Sequence, residues 1–462
     1  MIKDLPVDVG LIYEGERIRK NMMYVDLAGP KSRGGELFRV ADAKKIKDGE
    51  VKVLGPDSPK MEEGKAYPLG VLVEASGKTL EEDLEGVFER RIHYFMNYIQ
   101  GFMHLNSRDT IWCRINKDSA KKGLTLKHVG QAVMYLFKSE FDTIEKMQIT
   151  FSTGEKEVDD FLVKARGVYG KRDARLKGLK DDDVDVFYGC ALCQGFAPQH
   201  LCTITPSRTS SCGSISWFEG RAAAKVDPKG PIFAIEKGEL LDEIKGEYVG
   251  PNKATQEKSN GTVDRIYLHS LFDHPHTSCG CFEAIAFYMP DVDGIGVVSR
   301  NFRGTTPFGI PFSTMAGQVG GGMQSNGFAG IAVEYLRSPK YLQADGGWDR
   351  TVWLPKELKE RIGDDVPEGM RDKIATEEDA TDLDSLRKFL KEVEHPVVEK
   401  WGVDAEAVSS PAAGDASVKP VAEVPELQFT GVPMDGGGVT IIFKNAKIYA
   451  EKVIIKRKEK GR

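Results

Sequence analysis

The chain has 462 residues, a formal net charge of −6 and a hydrophobic content of 40%, an ordinary globular composition whose acidity excludes nonspecific attraction to nucleic acid. No apolar run approaches the ~18 residues needed to cross a bilayer, and the amino-terminal MIKDLPVDVG lacks a signal-peptide core. Seven cysteines are too few for a disulfide scaffold, so a cytoplasmic, reducing location is expected, with neither membrane nor nucleic acid among the partners.

Residues 1 to about 80 read as short strands and turns, with VGLIY, MMYVDLAG and LGVLVEA as the strand candidates. From Leu84 the period changes. Leu84, Val87, Phe88, Ile92, Phe95 and Ile99 recur at helical spacing and predict one long amphipathic helix. DTIWCRI reads as a strand, LKHVGQAVMYLFKSEF as a helix and KMQITFS as a strand; Val158, Phe161, Leu162, Ala165, Val168 and Tyr169 mark a further helix. This alternation predicts an α+β or α/β domain over 1–180. The charged run KGLKDDDVDV marks a boundary, and a second α+β domain is expected over 181–401. It holds the cysteine-rich segments, the strands EAIAFYM and GIGVVSRNF, the glycine-rich GQVGGGMQSNGFAG and a closing helix SLRKFLKEVEHPVVEKW. Residues 402–426, rich in Ala, Pro, Ser and acids, read as a flexible linker. Residues 427–462 read as a β-hairpin extension with a basic end.

Six of the seven cysteines fall between 190 and 281, in the order Cys190-x2-Cys193-x8-Cys202-x9-Cys212, then 66 residues, then Cys279-Gly280-Cys281. Cys113 stands apart and reads as a small core hydrophobe. Unrelated core cysteines would not cluster so tightly in a chain this poor in them. Thiolates are soft ligands for iron–sulfur, zinc, nickel or copper. Cys190 to Cys212 supply the four thiolates of an iron–sulfur cluster or a structural zinc, and the spacing alone leaves the metal open. The tripeptide adds to this. A disulfide between residues i and i+2 is poorly placed for the required dihedral. Two thiolates and the backbone nitrogens of Gly280 and Cys281 can instead lie in one plane around a metal, which suits Ni(II) or Cu(II) rather than tetrahedral zinc. Glycine between them lets the backbone approach the ion, and each sulfur keeps lone pairs that can bridge to a second metal.

In these six positions, and in YGCALCQGFAPQHLC and GQVGGGMQSNGFAG, the sequence resembles the acetyl-CoA synthase family. In length and carboxy-terminal extension it resembles the β subunit of the archaeal acetyl-CoA decarbonylase/synthase complex. The resemblance covers roughly residues 1–400. It implies that Cys190, Cys193, Cys202 and Cys212 hold a [4Fe–4S] cluster and that Cys193 also bridges to a proximal nickel. Cys279 and Cys281 would bind that nickel too and, with the nitrogens of Gly280 and Cys281, enclose a distal nickel. Phe196 would pack over the labile metal, against the alternative of plain core packing. The implied reaction is reversible synthesis and cleavage of acetyl-CoA from CO, a methyl group carried by a corrinoid iron–sulfur protein, and coenzyme A. The bacterial form carries an amino-terminal domain that docks CO dehydrogenase and that this sequence lacks, so separate CO dehydrogenase subunits are expected to deliver CO, with the 427–462 hairpin as a candidate docking element. The alternatives are a [4Fe–4S] electron-transfer protein without acyl chemistry and a zinc-stabilised assembly protein. His200, His274 and His276 are expected beside the metal site rather than on a metal, and GQVGGG as a tight loop near the cluster. Arg17, Arg19, Lys20, Arg90 and Arg91, and the pair Trp112 and Arg114, are weighed as contacts to coenzyme A, against the commoner role of solvated basic residues.

Overall fold

Hydrophobic stripes need a partner surface, and the amino-terminal half supplies two four-stranded sheets. In the computed structural model, which describes residues 5–14, 16–108 and 110–401, one sheet runs Gly34–Val40, Leu69–Ser76, Lys146–Ser152, Val51–Leu54. Its central pair is antiparallel and its outer pairs are parallel. The other sheet runs Ala66–Tyr67, Met23–Ala28, Thr110–Asn116, Phe102–Ser107. The helices Glu85–Asn97 and Leu126–Glu140 share one core with both sheets. Phe88, Ile92 and Phe95 of the expected stripe enter that core, where the rings of Phe88 and Phe95 meet those of Phe137 and Phe141 edge-on or tilted.

Beyond residue 180 the strands are Val186–Cys190, Cys202–Ile204 and Ile232–Glu236 in one sheet, and Phe328–Ile331, Ala284–Met289, Gly294–Ser299 and Thr351–Trp353 in another. A small hairpin pairs Leu240–Asp242 with Glu247–Tyr248. Among the described residues no sheet mixes strands from the two sides of residue 180, although the described residues belong to one compact unit. The architecture is mixed α+β throughout, and no described helix is long and apolar enough to cross a membrane. The linker and hairpin expected over 402–462 lie outside the described residues.

Three elements differ from the sequence reading. In VGLIY only Val9 forms a bridge, to Ile99, while Leu11–Tyr13 turns as a 3-10 helix with Ile12 almost fully exposed. Those apolar residues have no sheet to lie on. Gly34–Val40 is a strand that its two glycines and charged Glu36 and Arg39 conceal, yet Leu37 and Phe38 are fully buried. The closing helix stops at Glu392, Glu394 turns to φ 51, and Pro396–Lys400 forms a separate 3-10 turn. Pro396 accounts for the break, because the residue before a proline avoids helical backbone.

One close approach fixes the site's frame. A Cβ on Gly86, in the helix Glu85–Asn97, would lie 2.1 Å from the carbonyl oxygen of Ser214, just beyond Cys212. Gly86→Ala is therefore expected to destabilise the protein by about 1–3 kcal/mol through overpacking. Gly167→Ala, with nothing within 4 Å of its added carbon, should leave the melting temperature unchanged or raise it. Thermal melts of the two variants check this; equal melts would remove the argument.

Candidate metal centre

The four-cysteine segment is built from a strand edge and two turns. Cys190 ends the strand Val186–Cys190, and Cys202 opens Cys202–Ile204 as its direct antiparallel partner. Cys193 sits in the 3-10 turn Leu192–Gly195, and the Ser210 hydroxyl lies 3.3 Å from the Cys212 sulfur. All four residues are buried. Burial, with the neighbouring Cys202 and Cys193 thiols, pushes Cys190 well above its ordinary value, and burial followed by Cys212 pushes Cys202 up to about 11. Buried beside other thiols, Cys190 and Cys202 keep their protons unless a cation stands next to them.

Two histidines bring the distant cysteines together. His200 places one ring nitrogen 3.0 Å from the Cys202 sulfur and the other 2.9 Å from the Thr277 hydroxyl. His276 accepts from the Thr203 amide at 2.9 Å. Residues 200–203 and 276–277 are thus stapled by reciprocal bonds, each worth about 1 kcal/mol. His274 lies outside this staple, half-exposed beside Asp273. The result is that the sulfurs of Cys193, Cys279 and Cys281 all lie within 4.8 Å of one another.

Gly280 adopts φ +126, a region that side-chain-bearing residues rarely enter, while nothing crowds its missing Cβ. Backbone conformation, not space, demands glycine there. This curl brings the Cys281 amide to donate to the Cys279 sulfur at 3.3 Å. The glycine-rich stretch is half helix end and half loop. Phe312–Val319 closes at Gly320, after which the Gly321 amide donates to the Cys279 carbonyl at 3.3 Å and the Gly322 amide to the Ser278 carbonyl at 2.9 Å.

From the other side of residue 180, Arg90 donates to the Cys281 sulfur at 2.8 Å and to Cys193 at 3.8 Å. Tyr94, one turn on, donates to the Leu192 carbonyl and to the Cys193 sulfur at 3.7 Å. Hydrogen bonds from the Cys193 and Cys279 thiols, with Arg90 adding its charge, hold the Cys281 thiol well below its ordinary value. Behind Arg90 lies a buried chain: its guanidinium donates to Asn106, Asn106 to Glu36, and Glu36 faces His104 at 2.8 Å, which faces His93 at 3.1 Å. Arg300 donates to the carbonyls of Gly280 and Phe282 at 2.6 and 2.8 Å. The sequence reading missed Tyr94 and Arg300 and weighed Arg90 only as a coenzyme A contact or a solvated basic residue. The available signal was the polar face Arg90, His93, Tyr94 and Asn97 of the long helix, which reads as solvated and is in fact buried.

Phe196 lies three residues past Cys193, 42% exposed, its ring 6.3 Å from both Tyr94 and His93. Arg91 pairs with Glu140, and Arg114 and Trp112 both donate to Asp26, at 2.7 and 3.0 Å. Arg17, Arg19 and Lys20 are exposed. Cys113 is a fully buried member of the main core.

Six soft thiols from two segments, four buried and two half-buried, with three of the sulfurs mutually within 4.8 Å, are a donor set compatible with a metal-binding protein. Its relatives narrow this. The CO dehydrogenase/acetyl-CoA synthase complex beta subunit family matches residues 5–158, and the family of carboxy-terminal regions of the ACS/CODH beta subunit matches residues 169–402. The acetyl-CoA decarbonylase/synthase complex subunit beta of Methanopyrus kandleri is 54% identical over 462 residues, covering 99% of this chain and 98% of that one. The subunit beta of Methanothermobacter thermautotrophicus is 54% identical over 466 residues, covering 99% of this chain and 100% of its own. Subunit beta 2 of Methanosarcina thermophila is 51% identical, with 99% of each chain covered. The chain belongs to the acetyl-CoA decarbonylase/synthase complex beta subunit family.

Proposed function

We propose that this chain makes and cleaves acetyl-CoA from CO, a corrinoid-borne methyl group and coenzyme A at a nickel–nickel–[4Fe–4S] centre. The observation that carries the reading is the convergence of Cys193 with Cys279 and Cys281 across the sequence. An electron carrier using Cys190, Cys193, Cys202 and Cys212 alone would have no use for that convergence.

The donor set fits the implied group. Cys190, Cys193, Cys202 and Cys212 would hold the cluster, Cys193, Cys279 and Cys281 a proximal nickel, and Cys279, Cys281 and the nitrogens of Gly280 and Cys281 a distal one. When bound, the metals supply a low-valent, electron-rich centre at which carbon–carbon bond formation becomes an intramolecular step. The protein's part is asymmetric. Cys190, Cys202 and Cys212 are shut from water, whereas Cys279 and Cys281 are only half-buried and offer an open side to substrate. Arg90 compensates the negative charge of the bridging sulfurs and Tyr94 orients Cys193. Phe196, on the exposed rim beside Tyr94, is suited to screening the open side.

Residues 181–401 carry all six sulfurs, and residues 1–180 lend Arg90 and Tyr94 and remain the candidate ground for coenzyme A contacts. CO dehydrogenase subunits and a corrinoid iron–sulfur protein are the proposed partners, in a cytoplasmic assembly. The matching family's name, which sets its members in a CO dehydrogenase/acetyl-CoA synthase complex, supports the first of these partners. Metal analysis tests the function. Anaerobically prepared, nickel-loaded protein is expected to hold about two nickel per four iron and to exchange the acetyl group of acetyl-CoA. Iron without nickel in active protein, or zinc alone, would overturn it.

A further inference from the structure

The peptide planes of the tripeptide are pinned from outside. A trans peptide points its carbonyl oxygen and its N–H in opposite directions. The Gly280 carbonyl faces the Arg300 guanidinium at 2.6 Å, and the N–H of the same peptide, on Cys281, faces the Cys279 sulfur at 3.3 Å. The Cys279 carbonyl faces the Gly321 amide at 3.3 Å, so the Gly280 N–H is turned away from that loop. Arg300 is itself fixed. Its Nε and Nη2 grip the Phe282 carbonyl at 3.0 and 2.8 Å, and its guanidinium lies over the rings of Phe282 and Phe312, 5.5 and 5.3 Å from their centres. Phe312 opens the helix that leads into the glycine loop. One guanidinium and one glycine amide therefore hold both carbonyls of the chelate.

We infer that Arg300, with the Gly321 amide, is a positioning residue that fixes the peptide planes of Cys279-Gly280-Cys281 so that their nitrogens are presented as metal donors. The inference rests on reading the tripeptide as a chelate and goes beyond it by assigning what sets its conformation. A free Cys-Gly-Cys samples many backbone states, and Gly280 makes this segment especially loose. Ordering it in advance removes that cost from metal binding. A metal-bound amide nitrogen also shares its negative charge with its own carbonyl oxygen, where the Arg300 guanidinium stabilises it.

The test uses the full-length chain with its iron–sulfur cluster assembled, titrated anaerobically with Ni(II) against a competing chelator. Affinity and the d–d absorption of square-planar nickel are read together, with cluster absorbance and thermal melting as folding controls. Arg300→Ala is expected to weaken nickel capture by roughly 10–100-fold and to shift or abolish the square-planar band while the cluster persists. Arg300→Lys, which keeps the charge but cannot fork between two carbonyls, should lose less. Arg303→Ala removes a nearby arginine that donates to the Arg300 carbonyl and not to the tripeptide, and should bind as the unaltered chain does. Wild-type affinity and spectrum in Arg300→Ala would overturn the inference, as would an equal loss in Arg303→Ala. Should Arg300→Ala fail to fold, undiminished binding by Arg300→Lys overturns it instead. Failure of the unaltered chain to capture nickel would bring down the underlying functional reading as well.

Discussion

Cys279→Ser is expected to lower acetyl transfer by roughly 10³-fold or more, equivalent to about 4 kcal/mol of barrier, while the iron–sulfur absorbance stays largely in place. The reason is a division of labour among the sulfurs. Cys279 lies within 4.8 Å of Cys193 and Cys281 but is not one of the four buried thiols at 190, 193, 202 and 212. Serine keeps the size of the side chain and replaces a soft, ionisable sulfur by a hard hydroxyl that neither binds nickel well nor bridges two metals. Folding should survive, because the Cys279 backbone keeps its bond from Gly321 and the His200 and His276 staples do not involve its side chain. Acetyl exchange, nickel content and cluster absorbance, measured anaerobically on the same preparation, separate the two effects. Retained activity would end the nickel assignment. Joint loss of cluster and activity would mean that the six cysteines hold one indivisible site.

The cysteine constellation was legible because its chemistry is local: Cys190, Cys193, Cys202 and Cys212 crowd one short stretch of sequence, and a Cys-Gly-Cys tripeptide can chelate a metal whatever surrounds it. The strands and helices with a plain apolar period, such as Leu126–Glu140 and Lys146–Ser152, were legible for a similar reason. What surrounds the sulfurs was not. Arg90, His93 and Asn97 occupy the polar side of a helix that looks half-solvated from its pattern, yet all three are buried. Period reports polarity, and polarity implies water only when no second polar surface is available to cover it. Here Glu36, on a strand well before the helix, and His104 and Asn106, on the strand that follows it, supply that surface. Arg300 is hidden for another reason: it acts on carbonyl oxygens, which every residue carries, so no sequence pattern marks its target.

The same buried chain yields the second large effect. Arg90→Met is expected to cost about 3–5 kcal/mol of stability, the usual consequence of breaking a buried charge pair from one side. Arg90 is 1% exposed, and its guanidinium is shared between the Cys281 and Cys193 sulfurs and Asn106, which passes its own donor to Glu36. Methionine fills much of the volume, so the loss is electrostatic rather than a cavity: Glu36 is left with Asn106 and His104, and the sulfurs lose their cation. That assignment can be separated from a general packing defect by a double-mutant cycle. Glu36→Gln removes the stranded charge and should recover part of the loss when added to Arg90→Met, although alone it costs stability. In metal-free protein, Arg90→Met should also slow alkylation of Cys281 at neutral pH, since the thiolate is no longer held by a neighbouring guanidinium. Denaturant melts of the four proteins, with mass-spectrometric alkylation rates for Cys281, give both readings. Strictly additive costs at Arg90 and Glu36 and an unchanged alkylation rate would mean that this arginine fills space beside the sulfurs without governing their charge.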